Sequence, residues 1–292
     1  RPYFKLPQFG TTMTRLWLGS GAIVALLVWF AVLSLPDGYL HIAFLDVGQG
    51  DAILITTPSG RQILIDGGPS ATQLNWRLGQ EMPFWDRSLD LVVNTHPDAD
   101  HLAGLVSVLD RYQVDQVLGP NVAAQSQLYQ AWERELDEDN LTLIHGYAGM
   151  QLPLDEELVV EIIHPESSMV IDGINNHSLV WRLQFGEVSF LLPGDIEKSV
   201  ENRLVSEQKI RAVTVLKSPH HGSKTSSTDL FLDQVDPQLV IISVGAENRF
   251  GHPAPEVLQR YTERGLTVLR TDQHGTIELI TDGERLWVET AR

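Results

Sequence analysis

The chain has 292 residues, of which 43% are hydrophobic and 20% charged, a balance typical of a folded protein with a buried core. It contains no cysteine, which excludes disulfides and thiolate metal ligands, so a metal site would need His, Asp and Glu. The 21 Lys and Arg against 38 Asp and Glu give a net charge of −17, which argues against a protein that coats nucleic acid with a basic surface. An enzyme that contacts a few phosphates at a cationic metal centre is compatible with this charge.

The first predicted element is a transmembrane helix over residues 16–35, an uncharged apolar run long enough to cross the ~30 Å hydrocarbon core. A buried soluble helix and a signal peptide are the alternatives. Arg1, Lys5 and Arg15 precede the run, whereas Arg61 is the only Lys or Arg in residues 36–62, so the positive-inside rule predicts that the following domain lies outside the cytoplasm. The chain does not begin with Met, and we expect it to be a piece of a longer protein.

The sequence predicts two parts, a juxtamembrane segment with its helix over residues 1–37 and a globular domain over residues 38–292. From residue 40 the pattern changes to short apolar runs between Gly- and Pro-containing turns. Strands are expected over residues 41–46, 52–57, 62–66, 89–95, 114–118, 158–163, 179–185, 188–192, 213–217, 239–244, 267–271 and 276–281. Helices are expected over residues 103–109, 125–136, 196–207, 228–234 and 255–264. Many strands with interspersed helices indicate a layered α/β architecture.

The strongest candidate site is the segment His-Pro-Asp-Ala-Asp-His at residues 96–101, directly after the apolar strand over residues 89–95. Alternate residues of an extended segment point the same way, so His96 and Asp98 can share one ion. Asp100 and His101 stand at the start of the following helix and could face a second ion. A polar loop with an Asp as helix N-cap is the alternative, but it does not account for two His and two Asp together.

This segment resembles the signature of the metallo-β-lactamase superfamily, His-x-His-x-Asp-His, with Asp98 in the place of the second His. The resemblance implies an αββα sandwich and two divalent metal ions. It also implies His177 and His221 as further ligands, Asp195 as a carboxylate that bridges the metals, and Asp66 as support for the metal loop. Of the adjacent His220 and His221, it favours His221 as the ligand and His220 as a phosphate contact or proton donor, with the reverse assignment left open.

Within the superfamily, the chain is similar to the extracellular domain of ComEC, the membrane channel of natural transformation. The similar segments are residues 44–52 (Phe-Leu-Asp-Val-Gly-Gln-Gly-Asp-Ala), 176–180, 220–226 and 251–256. The resemblance implies a metal-dependent phosphodiesterase or nuclease that degrades the DNA strand that is not imported. Its partners would be single-stranded DNA at the channel mouth, the inner membrane and the rest of the channel, with the hydrolase domain extracytoplasmic. Gln49 and Asp51 would support the ligands from behind.

The chemistry predicted for this site is hydrolysis at two metals, with Asp100, His220 and His252 as catalytic residues. Asp98 makes the site richer in oxygen, which shifts the expected preference from Zn²⁺ towards Mn²⁺. Ser223 and Lys224 are candidates for phosphate contact, although a plain loop accounts for that stretch equally well.

Two other functions are open on the sequence alone. The same ligands serve C–N, C–S and P–O hydrolysis, so a membrane-anchored hydrolase of a lactam or a phosphocholine ester is one alternative. A non-catalytic module that gates or docks at the channel mouth is the other. Loss of ligands would indicate such a module, and no ligand of the pattern is lost.

Overall fold

The computed structural model describes residues 21, 24, 25, 29, 35–122, 124–167 and 172–292. Contacts between Cα atoms divide the chain into two units, Arg1–Asp37 and Gly38–Arg292. The transmembrane helix expected over residues 16–35 lies outside the described residues except at positions 21, 24, 25, 29 and 35. Within the described residues, no helix combines the length and the apolar character that crossing a membrane requires.

Two β-sheets form the centre of the unit Gly38–Arg292. The strands described are β1 (Leu40–Phe44), β2 (Ile53–Thr56), β3 (Gln62–Ile65), β4 (Ser88–Val93), β5 (Gln113–Gly119), β6 (Leu143–His145), β7 (Gln151–Leu152), β8 (Leu158–His164), β9 (Val180–Phe185), β10 (Val188–Leu192), β11 (Val215–Lys217), β12 (Leu239–Ile242), β13 (Thr267–Arg270), β14 (Ile277–Thr281) and β15 (Leu286–Thr290). One sheet has eight strands in the order β15-β14-β1-β2-β3-β4-β5-β6. The other has seven in the order β13-β12-β11-β10-β9-β8-β7.

The helices cover the outer faces of the two sheets. They are α1 (Ala71–Glu81), α2 (Ala99–Arg111), α3 (Gln127–Glu138), α4 (Lys198–Ser206), α5 (Asp229–Val235), α6 (Pro255–Glu263) and the short α7 (Thr271–His274). Buried residues of α1, α2 and α3 share one apolar cluster with outward-facing residues of the eight-stranded sheet. Buried residues of α4, α5 and α6 share another with the outer face of the seven-stranded sheet.

The alternation of side chains along each strand creates the core between the sheets. In β1, Leu40, Ile42 and Phe44 belong to the inner cluster together with Trp181 and Leu183 of β9, and all five are fully buried. Neighbouring Ala43 belongs instead to the cluster under the helices. The result is the predicted αββα sandwich of four layers.

The candidate site lies along one edge of this sandwich, the edge at which the parallel strands end. In the eight-stranded sheet, β3, β4, β5 and β6 run parallel, so their carboxyl ends meet along one edge. In the other sheet, β10, β11, β12 and β13 are also parallel to one another. Loops that follow β4, β10 and β11 carry most of the chemically distinctive side chains, in keeping with the general rule that α/β proteins place sites at carboxyl ends of strands.

The structure differs from the predicted elements at a few places. Helix α2 begins at Ala99, four residues before the expected start, because Asp98 occupies the extended N-cap position and the helix opens inside the metal motif. Helix α1 was missed because only Leu74 and Leu78 are buried in it, which leaves little apolar periodicity. Strands β6, β7 and β15 were also missed, and β15 is an edge strand with mostly exposed side chains.

Candidate metal centre

The loop between β4 and α2 is held in place by one buried carboxylate, Asp66. Its Oδ1 accepts a hydrogen bond from the Thr95 backbone N–H at 2.7 Å, and its Oδ2 accepts one from the Thr95 hydroxyl at 2.6 Å. Its Oδ2 also lies 2.7 Å from His101 Nδ1. Asp66 therefore fixes both the start of the loop and the orientation of the His101 ring, a supporting contact of the kind that metal-bound imidazoles receive.

Two glycines allow other segments to pack directly on this loop. A Cβ on Gly50 would lie 2.1 Å from the Asp100 carbonyl oxygen, and a Cβ on Gly104 would lie 1.9 Å from that of Gly67. The adjacent Asp51 N–H donates to the same Asp100 oxygen at 3.2 Å. Close backbone contact thus fixes the position of the first turn of α2.

Four side chains of the predicted set meet around Asp195, which follows β10. Ligand atoms of Asp100, His101, Asp195 and His221 all lie within 4.8 Å of one another. Asp195 Oδ2 lies 3.3 Å from His101 Nε2 and 3.2 Å from His221 Nε2. His221 Nε2 is also 3.4 Å from Asp100 Oδ2. Asp195 has the central position that a bridging carboxylate requires.

His96 and Asp98 lie beside this group. His96 Nε2 is 3.8 Å from Asp98 Oδ2, and the rings of His96 and His101 are 4.1 Å apart between centroids. His96 is completely buried, whereas 40% of the Asp98 side chain is exposed. The six side chains of His96, Asp98, Asp100, His101, Asp195 and His221 therefore form one cluster that opens to solvent at Asp98.

The three buried imidazoles are oriented as metal ligands. Each Nδ1 atom faces an oxygen acceptor. That of His101 faces Asp66, and that of His221 lies 2.9 Å from the Ser243 carbonyl. That of His96 lies 3.1 Å from the Thr95 hydroxyl and 3.3 Å from the Ser178 hydroxyl. Their Nε2 atoms are buried and make no well-directed hydrogen bond, although Asp195 Oδ2 lies 3.3 Å from that of His101 and 3.2 Å from that of His221. A proton on Nδ1 leaves the Nε2 lone pair free, and unpaired buried polar atoms need a partner. A divalent cation held by imidazole and carboxylate fits this donor set.

The charges of the cluster are strongly coupled. Burial would raise the pKa of Asp195, but His221, His101 and Lys217 hold it well below its usual range. Burial alone would lower the pKa of His101, and Asp195 and Asp66 raise it well above the usual value. Burial lowers the pKa of His96 to about 3, so this ring is neutral at physiological pH. Asp195 and Asp51 likewise raise the pKa of His221 well above its usual value, against the effect of burial. Imidazoles bind metals in the neutral form, so a divalent cation at this site would displace the protons that His101 and His221 hold and would take their place beside Asp195.

Lys217, at the end of β11, is a site residue that the sequence analysis missed. Its side chain is completely buried and forms an ion pair with Asp51. Its Nζ also lies 3.5 Å from Asp195 Oδ1 and donates to the Gly194 carbonyl at 3.2 Å. A lysine that ends an otherwise apolar strand just before Pro-His-His was the available signal, since buried lysines are rare.

Asp51 contacts the site from behind, whereas the described contact of Gln49 is with the backbone after β12, and its supporting role stays a prediction. Asp51 Oδ1 lies 3.4 Å from His221 Nδ1, in addition to the pair with Lys217. The Gln49 side-chain carbonyl accepts a hydrogen bond from the Gly245 backbone N–H at 3.3 Å. Both residues thereby connect the loop after β1 to the seven-stranded sheet.

The structure does not bring His177 into the cluster. Its Nδ1 lies 3.0 Å from the Gly173 carbonyl within a short 3-10 turn, and its side chain lines a separate cavity beside His145 and Tyr147. The next residue, Ser178, faces the cluster instead. Its hydroxyl oxygen accepts from the Asp195 backbone N–H at 3.0 Å and lies 3.3 Å from His96 Nδ1. We therefore leave His177 out of the ligand set and add Ser178 as a supporting residue.

The two adjacent histidines have different environments. His221 is buried against Asp100 and Asp195, whereas His220 Nε2 is 3.8 Å from Asp195 Oδ2 and its Nδ1 is 3.6 Å from Glu197 Oε1. Both residues have positive φ, 48° for His220 and 53° for His221, and this unusual backbone turns neighbouring side chains in different directions. The geometry favours His221 as the ligand.

His252 lies at the rim of the cluster, with its ring centroid 5.5 Å from that of His220. Its Nδ1 is buried without a hydrogen-bond partner. Asn248 fixes the His252 backbone by accepting its N–H at 3.0 Å and donating to its carbonyl at 2.8 Å. His220 and His252 thus lie next to each other beside the cluster.

Ser223 and Lys224 do not face the cluster in the same way. Ser223 is buried, and its hydroxyl hydrogen-bonds to that of Thr225 at 3.0 Å, as expected for a plain loop. Lys224 is exposed. Phosphate contact by these two residues stays a prediction.

Comparisons with known proteins identify the family of the chain. The family described as the metallo-beta-lactamase superfamily matches residues 45–245. The chain is 31% identical over 254 residues to "ComE operon protein 3" of Bacillus subtilis. This match covers 82% of this chain and 32% of that protein. It is 29% identical over 251 residues to "Competence protein ComA" of Neisseria gonorrhoeae, and this match covers 84% of this chain and 33% of that protein. The chain thus spans about a third of the length of these curated relatives.

Among solved structures, the metallo-beta-lactamase fold protein YhfI from Bacillus subtilis superposes with a TM-score of 0.55. The superposition covers 87% of this chain and 100% of that one at 12% sequence identity. At this identity the similarity shows the fold alone.

Proposed function

The chain belongs to the metallo-β-lactamase superfamily, as a domain of the ComEC type, and we propose that it is a metal-dependent phosphodiesterase that cleaves DNA. In the DNA-uptake channel it would degrade the strand that is not imported. The observation that carries the proposal is the convergence of three buried Nε2 atoms, those of His96, His101 and His221, on the carboxylates around Asp195.

The residues that would hold two divalent ions divide into two groups that share Asp195. His96 and Asp98 belong to one group, and Asp100, His101 and His221 to the other. When bound, such ions supply a hydroxide nucleophile at neutral pH and neutralise charge on phosphate oxygens. Asp98 and Asp100 enrich the set in oxygen ligands, which favours Mn²⁺ over Zn²⁺.

The other residues of the site have roles that follow from their position. His220 and His252 stand beside the cluster and would contact the phosphate, with His220 Nε2 as the donor to the leaving oxygen. Glu197, 3.6 Å from His220 Nδ1, would orient that ring. Asp66, Asp51 and Ser178 would keep the ligands in place. The site is accessible to a polymer because the side chains of Asp98 and Asp100 are 40% and 32% exposed.

DNA as the substrate is supported by the names of the relatives, one of which is a competence protein. The net charge of −17 makes binding along most of the surface unfavourable, so that contact would be confined to the metal centre and its surroundings. We further propose that the chain is attached to the inner membrane, with this domain extracytoplasmic and next to the rest of the channel.

The test is hydrolysis of end-labelled single- and double-stranded DNA by the 292-residue chain with Mn²⁺, Zn²⁺ or a chelator. We expect slow cleavage that requires metal and is lost in Asp100→Asn. Asp110→Asn, the same change on an exposed position of the same helix, is the control that keeps activity. Equal cleavage by the wild type and Asp100→Asn would reveal a contaminating nuclease. Turnover of a β-lactam or a phosphocholine ester without DNA cleavage would overturn the assignment of substrate.

A further inference from the structure

A cavity of about 130 Å³ lies next to the metal centre, on the side of His177. Its lining includes Asn121, Tyr147 and Glu166. Asn121 and Tyr147 follow the carboxyl ends of β5 and β6, the two strands next in the sheet after β4, which leads into the metal loop. Ser178, directly after His177, contacts His96, so the cavity is one residue away from the ligand set. Tyr147 is 47% exposed and offers an aromatic face there.

A second depression continues from this cavity. It is a groove of about 340 Å³ whose lining also includes Glu166, together with Arg182, Lys209 and Arg211. Arg182 is on β9, four residues after Ser178, which corresponds to about 13 Å along an extended strand. The groove therefore begins close to the metal centre and leads away from it along the seven-stranded sheet.

Two of the three cations of this groove make no ion pair with any residue that the structure describes. Lys209 forms ion pairs with Glu166 and with Glu207. Within the described part of the chain, neither Arg182 nor Arg211 has an ion pair or a side-chain hydrogen bond, although Glu161 of β8 stands opposite Arg182 in register. Most other arginines of the domain have such partners, for example Arg77 with Asp46 and Arg264 with Asp229.

Free guanidinium groups in a groove next to a hydrolytic centre indicate an anionic ligand, because Arg binds phosphate oxygens in pairs through its planar donors. The exposed aromatic face of Tyr147, in the cavity that shares Glu166 with the groove, suits an unpaired base, since single-strand binding proteins combine a positive groove with stacking side chains. Elsewhere the net charge of −17 repels a polyanion.

We propose that Arg182 and Arg211 bind the phosphodiester backbone of a single DNA strand, at positions beyond the phosphate that is cleaved at the metals. The inference rests on the proposed function for the identity of its ligand. It adds a strand-binding groove that continues from the metal centre past Tyr147. It also accounts for how a strongly acidic chain can hold a nucleic acid without a generally basic surface.

The test compares Arg182→Gln, Arg211→Gln and the double variant with the wild type. Binding of a fluorescein-labelled single-stranded oligonucleotide is followed by anisotropy in chelator, where no turnover occurs. Each substitution should weaken binding about tenfold. In the double variant, the slope of log K against log salt should become less steep by about 1.4, the value for two lost phosphate contacts on a single strand. Arg285→Gln, which removes an exposed arginine outside the groove, should bind like the wild type.

A second measurement separates this inference from the proposed function. With Mn²⁺, the double variant should hydrolyse the p-nitrophenyl ester of thymidine 5′-monophosphate as fast as the wild type, because this substrate is too short to reach the groove. Its KM for the oligonucleotide should rise. If the wild type cleaves both substrates and the variants bind DNA normally, the groove proposal alone is wrong. If the wild type cleaves neither, yet the variants lose DNA binding, the groove stands and the phosphodiesterase does not. Loss of binding to phosphatidylglycerol vesicles with unchanged DNA binding would assign the arginines to lipid and overturn the proposal.

Discussion

Lys217 and Asp51 form an ion pair that is buried completely behind the candidate metal centre, with 0% and 1% of the two residues exposed. Burial alone would lower the pKa of Lys217, but Asp51 and Asp195 raise it above its usual value, so the ammonium group stays charged. The pair connects the end of β11 to the loop after β1. It also places a fixed positive charge beside Asp195, in a cluster that otherwise concentrates carboxylates.

Replacing Lys217 by Met should destabilise the fold by about 3–5 kcal/mol, because it leaves the Asp51 carboxylate buried without its partner. Lys217→Met combined with Asp51→Asn should recover a large part of that loss, since neither charge remains. Urea unfolding in chelator measures the effect without a contribution from bound metal. Lys209→Met is the control: it breaks only partly exposed ion pairs and should cost less than about 1 kcal/mol. Equal losses for Lys209→Met and Lys217→Met would contradict the assigned role of burial.

Two helical glycines provide a matched pair of substitutions. In Gly104→Ala, the new Cβ would lie 1.9 Å from the Gly67 carbonyl oxygen, so α2 must move away from that turn. We expect the free energy of unfolding to fall by more than about 2 kcal/mol, because the new Cβ clashes with backbone that cannot easily move. Metal binding should also weaken, because His101 moves with α2. Gly79→Ala in α1 meets nothing within 4 Å and should instead stabilise the fold by up to about 1 kcal/mol. Thermal unfolding of both variants checks the difference, and a stable Gly104→Ala would show that the helix can shift freely.

His164 gives the fold a dependence on pH that does not involve the metal ligands. Its Nε2 donates to the Asn176 carbonyl at 2.8 Å, and its Nδ1 accepts from Arg203 at 3.2 Å. Burial lowers the pKa of His164 to about 4, with the charge of Arg203 acting in the same direction and the bond to Asn176 opposing it. Between pH 6.5 and 4 the unfolded chain therefore binds a proton at this residue that the folded chain does not.

The contribution of neutral His164 to the free energy of unfolding should thus be complete above pH 6.5 and fall by about 3 kcal/mol as the pH drops to 4. His164→Gln cannot take up this proton. The difference in stability between wild type and His164→Gln, measured by urea unfolding in chelator, should shrink steadily from pH 7 to pH 4. A difference that is constant over this range would show that His164 does not titrate as its surroundings indicate.

The sequence predicted those parts of the fold and site that depend on local pattern. The apolar runs of β4 and β10 end in polar motifs, so the positions of His96 and Asp195 at strand ends followed directly. Lys217 was missed because its role depends on Asp51, which is 166 residues away in the chain and adjacent only in the folded sandwich. Helix α1 was missed for a related reason: it is stabilised by packing of two leucines on the first sheet rather than by its own periodicity.

The sequence also could not decide between His177 and Ser178. It predicted His177 as a ligand, whereas in the structure the neighbouring Ser178 faces the cluster. A motif places both residues at the site, but only the backbone geometry decides which side chain faces it. The short turn over Asn175–His177 directs His177 into the neighbouring cavity, and Ser178 then contacts both His96 and the backbone of Asp195. No spacing rule distinguishes two adjacent residues in an irregular segment.

Metal binding by the two variants tests this exchange. His177→Ala should bind Mn²⁺ with the affinity and stoichiometry of the wild type, because the His177 side chain lies outside the cluster and lines the neighbouring cavity. Ser178→Ala removes the acceptor for the Asp195 N–H and a contact to His96, and should weaken Mn²⁺ binding about 10–100-fold, as loss of supporting contacts does at other metal sites. Isothermal titration calorimetry gives both quantities. Ser206→Ala, at an exposed position of α4, controls for the loss of a hydroxyl, and His101→Ala for the loss of a ligand. If His177→Ala lost one equivalent of Mn²⁺ while Ser178→Ala kept both, His177 would be a ligand that turns into the centre when metal binds, and Ser178 would have no supporting role.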